Sequence, residues 1–248
     1  MEPAISVGYF RVPKFHRQDT FSNLNTILVS TAATVPWVRG KQTKAYHQTM
    51  QSITAFVLVG GKSTRMGRDK AFVELAGHPL ISHVLMKASA ITKNVKIVGD
   101  PQKFRQFGEV VSDLYLNCGP LAGIHAALAS TNTDWNLVLG VDLPFLTANL
   151  LHYLVRESQR SKAMVTVPSV GGHLHPLSAV YRREFHTHAD QALRSGKNKI
   201  DALFPQVRTR VINEKELAAA GFKAHAFRNL NTPEEWAEAK HEFKDEQR

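Results

Sequence analysis

Ala55–Lys70 reads AFVLVGGKSTRMGRDK, and the fold follows from how this stretch is read. The apolar run Ile53 to Val59 is short and rich in β-branched and aromatic residues, and a glycine pair stops it. A run of that length and composition predicts a buried strand. Gly60 and Gly61 then allow a sharp turn and a close backbone approach to a ligand, since no Cβ stands in the way. Lys62, Ser63, Thr64, Arg65, Arg68 and Lys70 follow, four cations and two hydroxyls beside bare backbone amides. Such a loop suits a polyanion such as a triphosphate, with N–H groups to cradle oxygens and side chains to neutralise charge. Two familiar phosphate loops are excluded. A Walker loop needs glycine five residues before Gly61-Lys62-Ser63, where this chain has Phe56, and the G-x-G-x-x-G order is absent.

The rest of the chain frames that loop. Its 248 residues can bury a full core, and 43% hydrophobic with 21% charged residues is ordinary for a globular protein. No stretch approaches the roughly 18 apolar residues of a membrane span. The lone Cys118 excludes an internal disulfide framework and suits a reducing cytoplasm, which is the expected compartment. A net charge of +10 favours acidic partners without choosing among them. Residues 1–49 hold six Lys or Arg against two acids, a balance of +4, with neither helical nor strand periodicity and no signal-peptide order. They are expected to be a disordered leader or an over-long gene start, with the domain running from 50 to 248.

Strand, loop and helix then alternate. Pro79 suits a first helical position, and Ile81, Val84, Leu85, Ala88 and Ile91 share a helical face. Val95–Val98 predicts a second strand broken by Gly99-Asp100-Pro101, with a short helix over 102–107 and a third strand over 109–112 ending at Asp113. Asn117-Cys118-Gly119-Pro120-Leu121-Ala122-Gly123 opens a small-residue helix over 121–129. Trp135–Val141 reads as a fully buried strand ending in Asp142. Further on come a helix over 147–158, a strand over 164–167 and a helix over 183–194. This alternation predicts an α/β fold, a single Rossmann-like three-layer domain with a mostly parallel central sheet. Ligands of such sheets sit beyond the carboxyl ends of the strands, where the glycine loop, Gly99, Asp113 and Asp142 all fall. A carboxylate at the end of a central strand is well placed to hold Mg²⁺ against substrate phosphates, although a turn or helix cap would also use an Asp there. His173, His175, His186 and His188 lack the H-x-x-x-H spacing or cysteine company of a zinc site, so they read as solvated or core-edge residues. Cys118 has no base placed beside it by local sequence and reads as a packed or loop thiol. The basic loop Ser195–Lys199 reads as solvated.

The motifs in order resemble one family. G-G-x-S-x-R-M-G-x-D-K after a strand, Asp113, G-P-L-A-G, the strand ending in Asp142, and N-L-N-T-P-E-E at 229–235 together resemble the molybdenum cofactor guanylyltransferases, over roughly residues 53–240. Val59 stands where that pattern usually has Ala, and Gly99 or Asp100 where the family has a nucleotide-contacting Asn. The resemblance implies transfer of GMP from GTP to molybdenum-bearing molybdopterin, with release of pyrophosphate and with Mg²⁺ as cofactor. It implies nucleotide contacts from Leu58, Val59, Gly60, Gly61, Lys70, Asp113 and Asp142. Arg65, Lys70 and Asp142 are the expected catalytic residues, Asp142 the metal ligand, and His175, Asn229 and Asn231 candidate acceptor contacts. GTP and the molybdopterin cofactor are the expected partners, with molybdoenzymes or other cofactor-biosynthesis proteins as candidate recipients of the product. A relative acting with CTP or on a sugar phosphate is one alternative. A basic nucleic-acid binder is the other, disfavoured because no aromatic stacking platform accompanies the cations.

Overall fold

The computed structural model describes residues 53–60, 69–230 and 232–245, all within one unit spanning 43–248. The leader, Gly61, Arg65, the other loop residues to 68, and Asn231 lie outside the described residues. All six residues of Ile53–Leu58 (β1) are buried. Ile53, Ala55 and Val57 pack into one apolar cluster and Phe56 and Leu58 into another, so the strand is covered on both faces. Lys70–Phe72 forms a short 3-10 turn capped by Asp69, whose Oδ1 accepts from the Ala71 amide at 3.2 Å. Glu74–Leu75 (β2) and His78–Pro79 (β3) pair as a hairpin around Ala76 and Gly77, both at positive φ as a two-residue hairpin turn requires. Pro79 therefore ends a strand and serves as N-cap of Leu80–Ile91 (α1), rather than filling its first turn as the sequence suggests.

Val95–Val98 (β4), Pro101–Phe104 (α2), Glu109–Val111 (β5), Pro120–Ala129 (α3), Trp135–Gly140 (β6) and Ala148–Ser161 (α4) follow. The strands fall close to their expected places, and the helix over 102–107 shortens to one turn. Val165–Val170 (β7), His173–Leu174 (β8), Ser178–Arg182 (β9), Phe185–Arg194 (α5), Thr209–Ile212 (β10), Glu214–Ala219 (α6) and Pro233–Asp245 (α7) complete the described elements. The last helix opens on a capping box that the spacing of Thr232 and Glu235 predicts: the Thr232 amide donates to Glu235 Oε2 at 2.9 Å and the Glu235 amide to Thr232 Oγ1 at 3.2 Å.

The main sheet runs β10-β7-β9-β6-β1-β4-β5, with β8 paired to β7. Every neighbouring pair along that path is parallel except those of β9, which is antiparallel to both β6 and β7. The link from β7 to β9 through β8 is far shorter than the dozen or more residues a parallel crossover needs, so reversal is forced. One apolar cluster takes side chains from α1, α4, α6 and α7, the other from α3 and α5. Helices thus cover both faces of the sheet in three layers. The chain runs outward from β1 to β4 and β5, then returns to place β6 on the other flank of β1. This reversal is the switch point at which such sheets open a crevice beyond their strand ends.

Candidate active site

A cleft of about 510 Å³ opens at that point, lined by Leu58, Gly60, Val98, Asp113, Asn117, Cys118, Gly119, Pro120, Gly123 and Leu177. Its floor is where β1 and β4 end. The Leu58 carbonyl accepts from the Val141 amide at 3.2 Å, and the Val59 amide donates to the Val98 carbonyl at 3.1 Å. Both groups are therefore engaged in the sheet. Leu58 faces the cleft with its side chain and Gly60 with exposed backbone, while the Val59 side chain turns into the core on the opposite face. Gly123 lets helix α3 come close: a Cβ there would lie 3.0 Å from Leu58 Cδ2 and 3.6 Å from Asp113 Oδ1. Gly119, at φ +72°, turns the chain into that helix, whose first turn faces the cleft.

Asp113 stands on the β5 side. Its Oδ1 is buried without a hydrogen-bond partner, and burial raises its carboxyl above the ordinary 3.8. An acceptor left unsatisfied in this way costs free energy until a donor arrives, so the cleft wall is built for a ligand N–H or O–H.

Asp142 stands on the β6 side, half-buried, just past the strand end. Gly140 makes room for it: a Cβ on Gly140 would lie 2.8 Å from Asp142 Oδ1 and 3.2 Å from Leu177 Cβ. The Gly140 amide donates to the Leu177 carbonyl at 2.7 Å, which draws the turn after β8 over the strand end. The Asp142 carbonyl accepts from the Leu230 amide at 3.2 Å. No helix follows Asp142 directly, so it caps none, and it lies in the turn that ends β6. Lys70, half-buried, opens the 3-10 turn that resumes the chain after the glycine loop.

Of the acceptor candidates, His175 and Asn229 fall on the Asp142 side. The His175 ring packs on Phe227 at 4.9 Å, and burial pushes its pKa down, with nearby His173 adding to the effect. Asn229 is exposed, one residue before the Leu230 amide that bonds to Asp142. The three segments are thus tied together by the His175–Phe227 and Leu230–Asp142 contacts. On the other flank, Asp100 is a helix cap, accepting from the Gln102 amide at 2.8 Å. Gly99 leaves no room for a side chain, since a Cβ would lie 2.5 Å from Val59 Cγ2. Neither residue replaces the Asn of the family pattern. Cys118 lines the cleft, with Sγ 3.5 Å from the Leu116 carbonyl. Among the described residues, no group of three or more His, Cys, Asp or Glu gathers as a metal cage. No described helix is long and apolar enough to cross a membrane.

Sequence reasoning missed two parts of this site. Gly140, hidden inside an apolar run, is one, and its signal is a glycine two residues before a strand-end acid. Leu177 is the other, and only the antiparallel return of β9 brings it to the cleft.

Comparison with known proteins agrees with this geometry. The MobA-like NTP transferase domain matches residues 55–210. A probable molybdenum cofactor guanylyltransferase of Pelotomaculum thermopropionicum is 35% identical over 193 residues, 77% of this chain and 93% of that protein. A molybdenum cofactor guanylyltransferase of Syntrophotalea carbinolica is 28% identical over 74% of this chain and 88% of its own length. Among solved structures, molybdopterin-guanine dinucleotide biosynthesis protein A of Archaeoglobus fulgidus superposes with a TM-score of 0.69 at 27% identity, over 77% of this chain and 99% of that one. A 2-C-methyl-D-erythritol 4-phosphate cytidylyltransferase of Thermus thermophilus, with TM-score 0.55 at 16% identity over 76% of this chain and 98% of its own, shares the fold. The chain belongs to the MobA-like NTP transferase family.

Proposed function

We propose that this chain transfers GMP from GTP to the phosphate of molybdenum-bearing molybdopterin, forming the guanine dinucleotide cofactor. A phosphate oxygen of the acceptor attacks the α-phosphorus of GTP, the bond to the β-bridging oxygen breaks, and pyrophosphate departs. Both partners are anions, so the protein's task is alignment and charge neutralisation more than proton transfer. Lys70 and, from the glycine loop, Arg65 hold the triphosphate and offset charge on the leaving group.

The observation that carries the reading is Asp113 lining the cleft at the switch point, with Asp142 just past the end of β6, the strand beside β1. Asp113, with a buried unsatisfied oxygen, receives the base or ribose. Guanine suits it better than cytosine, because guanine presents two adjacent N–H donors to one carboxylate while cytosine sets an acceptor beside its single amino group. Asp142, whose carboxylate has no hydrogen-bond or ion-pair partner among the described residues, suits a divalent cation shared with phosphate oxygens. Mg²⁺ is commonly held by one or two carboxylates plus substrate phosphates, so a single Asp fits it. Bound there, the ion would neutralise charge on the reacting phosphates. His175, Asn229 and Asn231 would meet the acceptor on the Asp142 side.

Thermal unfolding with nucleotide tests the base assignment: GTP with Mg²⁺ is expected to raise the melting temperature and CTP is not. Pyrophosphate release that requires both GTP and molybdopterin tests the reaction. Stabilisation by CTP alone would move the assignment to cytidylyl transfer. Tight binding of single-stranded nucleic acid, with no response to either nucleotide, would remove it.

A further inference from the structure

The segment 112–119 between β5 and α3 holds Asp113, Asn117, Cys118 and Gly119 against the cleft, yet it belongs to neither element. Two of its residues, Asn117 at φ +61° and Gly119 at φ +72°, adopt left-handed backbone, so its shape needs support from elsewhere. The pattern of exposure is inverted: Leu114 and Leu116 are 67% and 77% exposed, while Tyr115 between them turns inward. Apolar burial alone would choose the leucines. What the tyrosine gains is a partner, since its hydroxyl donates to Asp190 Oδ1 on α5 at 2.7 Å. Its ring meets His125 edge-on, centroids 5.1 Å apart, and His125 stacks on His186 at 4.7 Å. Asp190 is itself held in place: Arg194 Nε lies 2.8 Å from Oδ2, and His125 Nε2 lies 3.5 Å from Oδ1. An acceptor that is ionised and fixed by a cation makes the stronger kind of hydrogen bond.

We propose that Tyr115 and Asp190 are positioning residues for the nucleotide, their hydrogen bond holding the 112–119 loop in the shape that presents Asp113 to the base or ribose. The inference rests on the nucleotide reading of the cleft. Neither residue lines the cleft, so they act through the loop. Without the bond, the loop samples other shapes and GTP must reorder it on binding, which weakens affinity in proportion to the lost population. Groups that hold the triphosphate and the reacting atoms lie on other segments, so a bound GTP reacts at the usual rate.

Tyr115→Phe keeps the ring contact with His125 and removes only the hydroxyl. The expected result is a rise of about five-fold in the Kd and KM for GTP, with kcat and the melting temperature held. Asp190→Asn keeps the shape of the acceptor and is expected to raise KM less than Asp190→Ala. The double variant Tyr115→Phe/Asp190→Ala is expected to bind GTP no more weakly than the worse single one, because both substitutions remove one bond. Unchanged GTP affinity in Tyr115→Phe, additive losses in the double variant, or losses that follow melting temperature alone would each overturn the proposal. Isothermal titration of the unsubstituted protein with GTP comes first: its failure to bind would overturn the nucleotide reading itself, and with it this inference.

Discussion

The ends of β5 and β6 use the same residue types in opposite ways. Past β5, Asp113 lies beside Gly123, whose missing side chain makes room for Leu58; past β6, Asp142 lies over Gly140, which clears space for the acid itself. Asp113 is half-buried, with one oxygen, Oδ1, fully buried and orphaned, and its carboxyl is raised. Asp142 is half-buried, with its backbone carbonyl bonded to the Leu230 amide. An acid in the first setting disfavours its own charge and waits for a hydrogen-bond donor. An acid in the second keeps lone pairs available to a cation. In the function proposed above, Asp113 meets the nucleotide and Asp142 its charge, and substitutions should separate the two.

Asp142→Asn should give the largest effect. Asn keeps the shape but binds a dication far more weakly, so kcat/KM should fall on the order of 10³-fold, within reach of what one preorganised charge is worth at a transferring phosphoryl group. Raised Mg²⁺ or Mn²⁺ should recover part of the loss, and the melting temperature without ligand should barely move. Near-unsubstituted activity would take the metal off this strand end. Lys70→Ala should come next, with a loss of about 3 kcal/mol in kcat/KM, on the order of 10²-fold, because it removes one cation from the triphosphate. Steady-state kinetics with GTP varied would show it, and a change of only two-fold would make Lys70 a surface cation.

What the sequence makes legible follows from how local each cause is. The run from Ile53 to Val59 announces a doubly covered strand because every residue in it is apolar or small, and β1 is buried throughout. Thr232 and Glu235 announce a helix start because a capping box spans one turn. The carboxylates at 113 and 142 are visible because each follows an apolar strand. Other features depend on partners far away in the chain. The Tyr115–Asp190 bond joins residues 75 apart, and no local period encodes it. The reversed β9 depends on the short β8 excursion, and Thr209–Ile212, which the sequence reading assigns to no element, becomes a strand by pairing with β7. Pro79 illustrates competition: its fixed φ suits a helix start, but the Ala76-Gly77 turn claims it for a hairpin.

Asp113→Asn sharpens the contrast between the two strand ends, since stability and binding should move apart. Asn can accept one bond from the nucleotide but not two, so GTP Kd should rise about ten-fold, the loss expected for one hydrogen bond to a charged group. Without ligand the sign reverses. A carboxyl raised on folding binds protons more tightly in the native state, so the stability of the unsubstituted protein falls as pH climbs from 3.8 through the raised value. Asn does not ionise and escapes that loss. The melting temperature of Asp113→Asn should therefore match or exceed that of the unsubstituted protein at neutral pH, and the gap should close in acid. Destabilisation at neutral pH would mean that Asp113 has a packing role instead.

The smallest expected effect lies just outside the cleft, at Gly99. Its missing side chain is filled from β1: a Cβ would sit 2.5 Å from Val59 Cγ2 and 3.4 Å from Phe104 Cδ2. Val59 is stiff about χ1 and 5% exposed, so it cannot simply swing away. Val59, where the family pattern usually has Ala, thus fills the space that a side chain at Gly99 would take. Gly99→Ala should cost about 1 kcal/mol in chemical denaturation, the low end for an inserted methyl in a packed site. Val59→Ala alone should also destabilise, by opening a void. Together the two should lose less than the sum, because each relieves the other. Additive losses would show that Val59 and Gly99 vary independently. With coupling, the melting temperature of Val59→Ala/Gly99→Asn should exceed that of Gly99→Asn alone, because the smaller residue at 59 admits the new side chain.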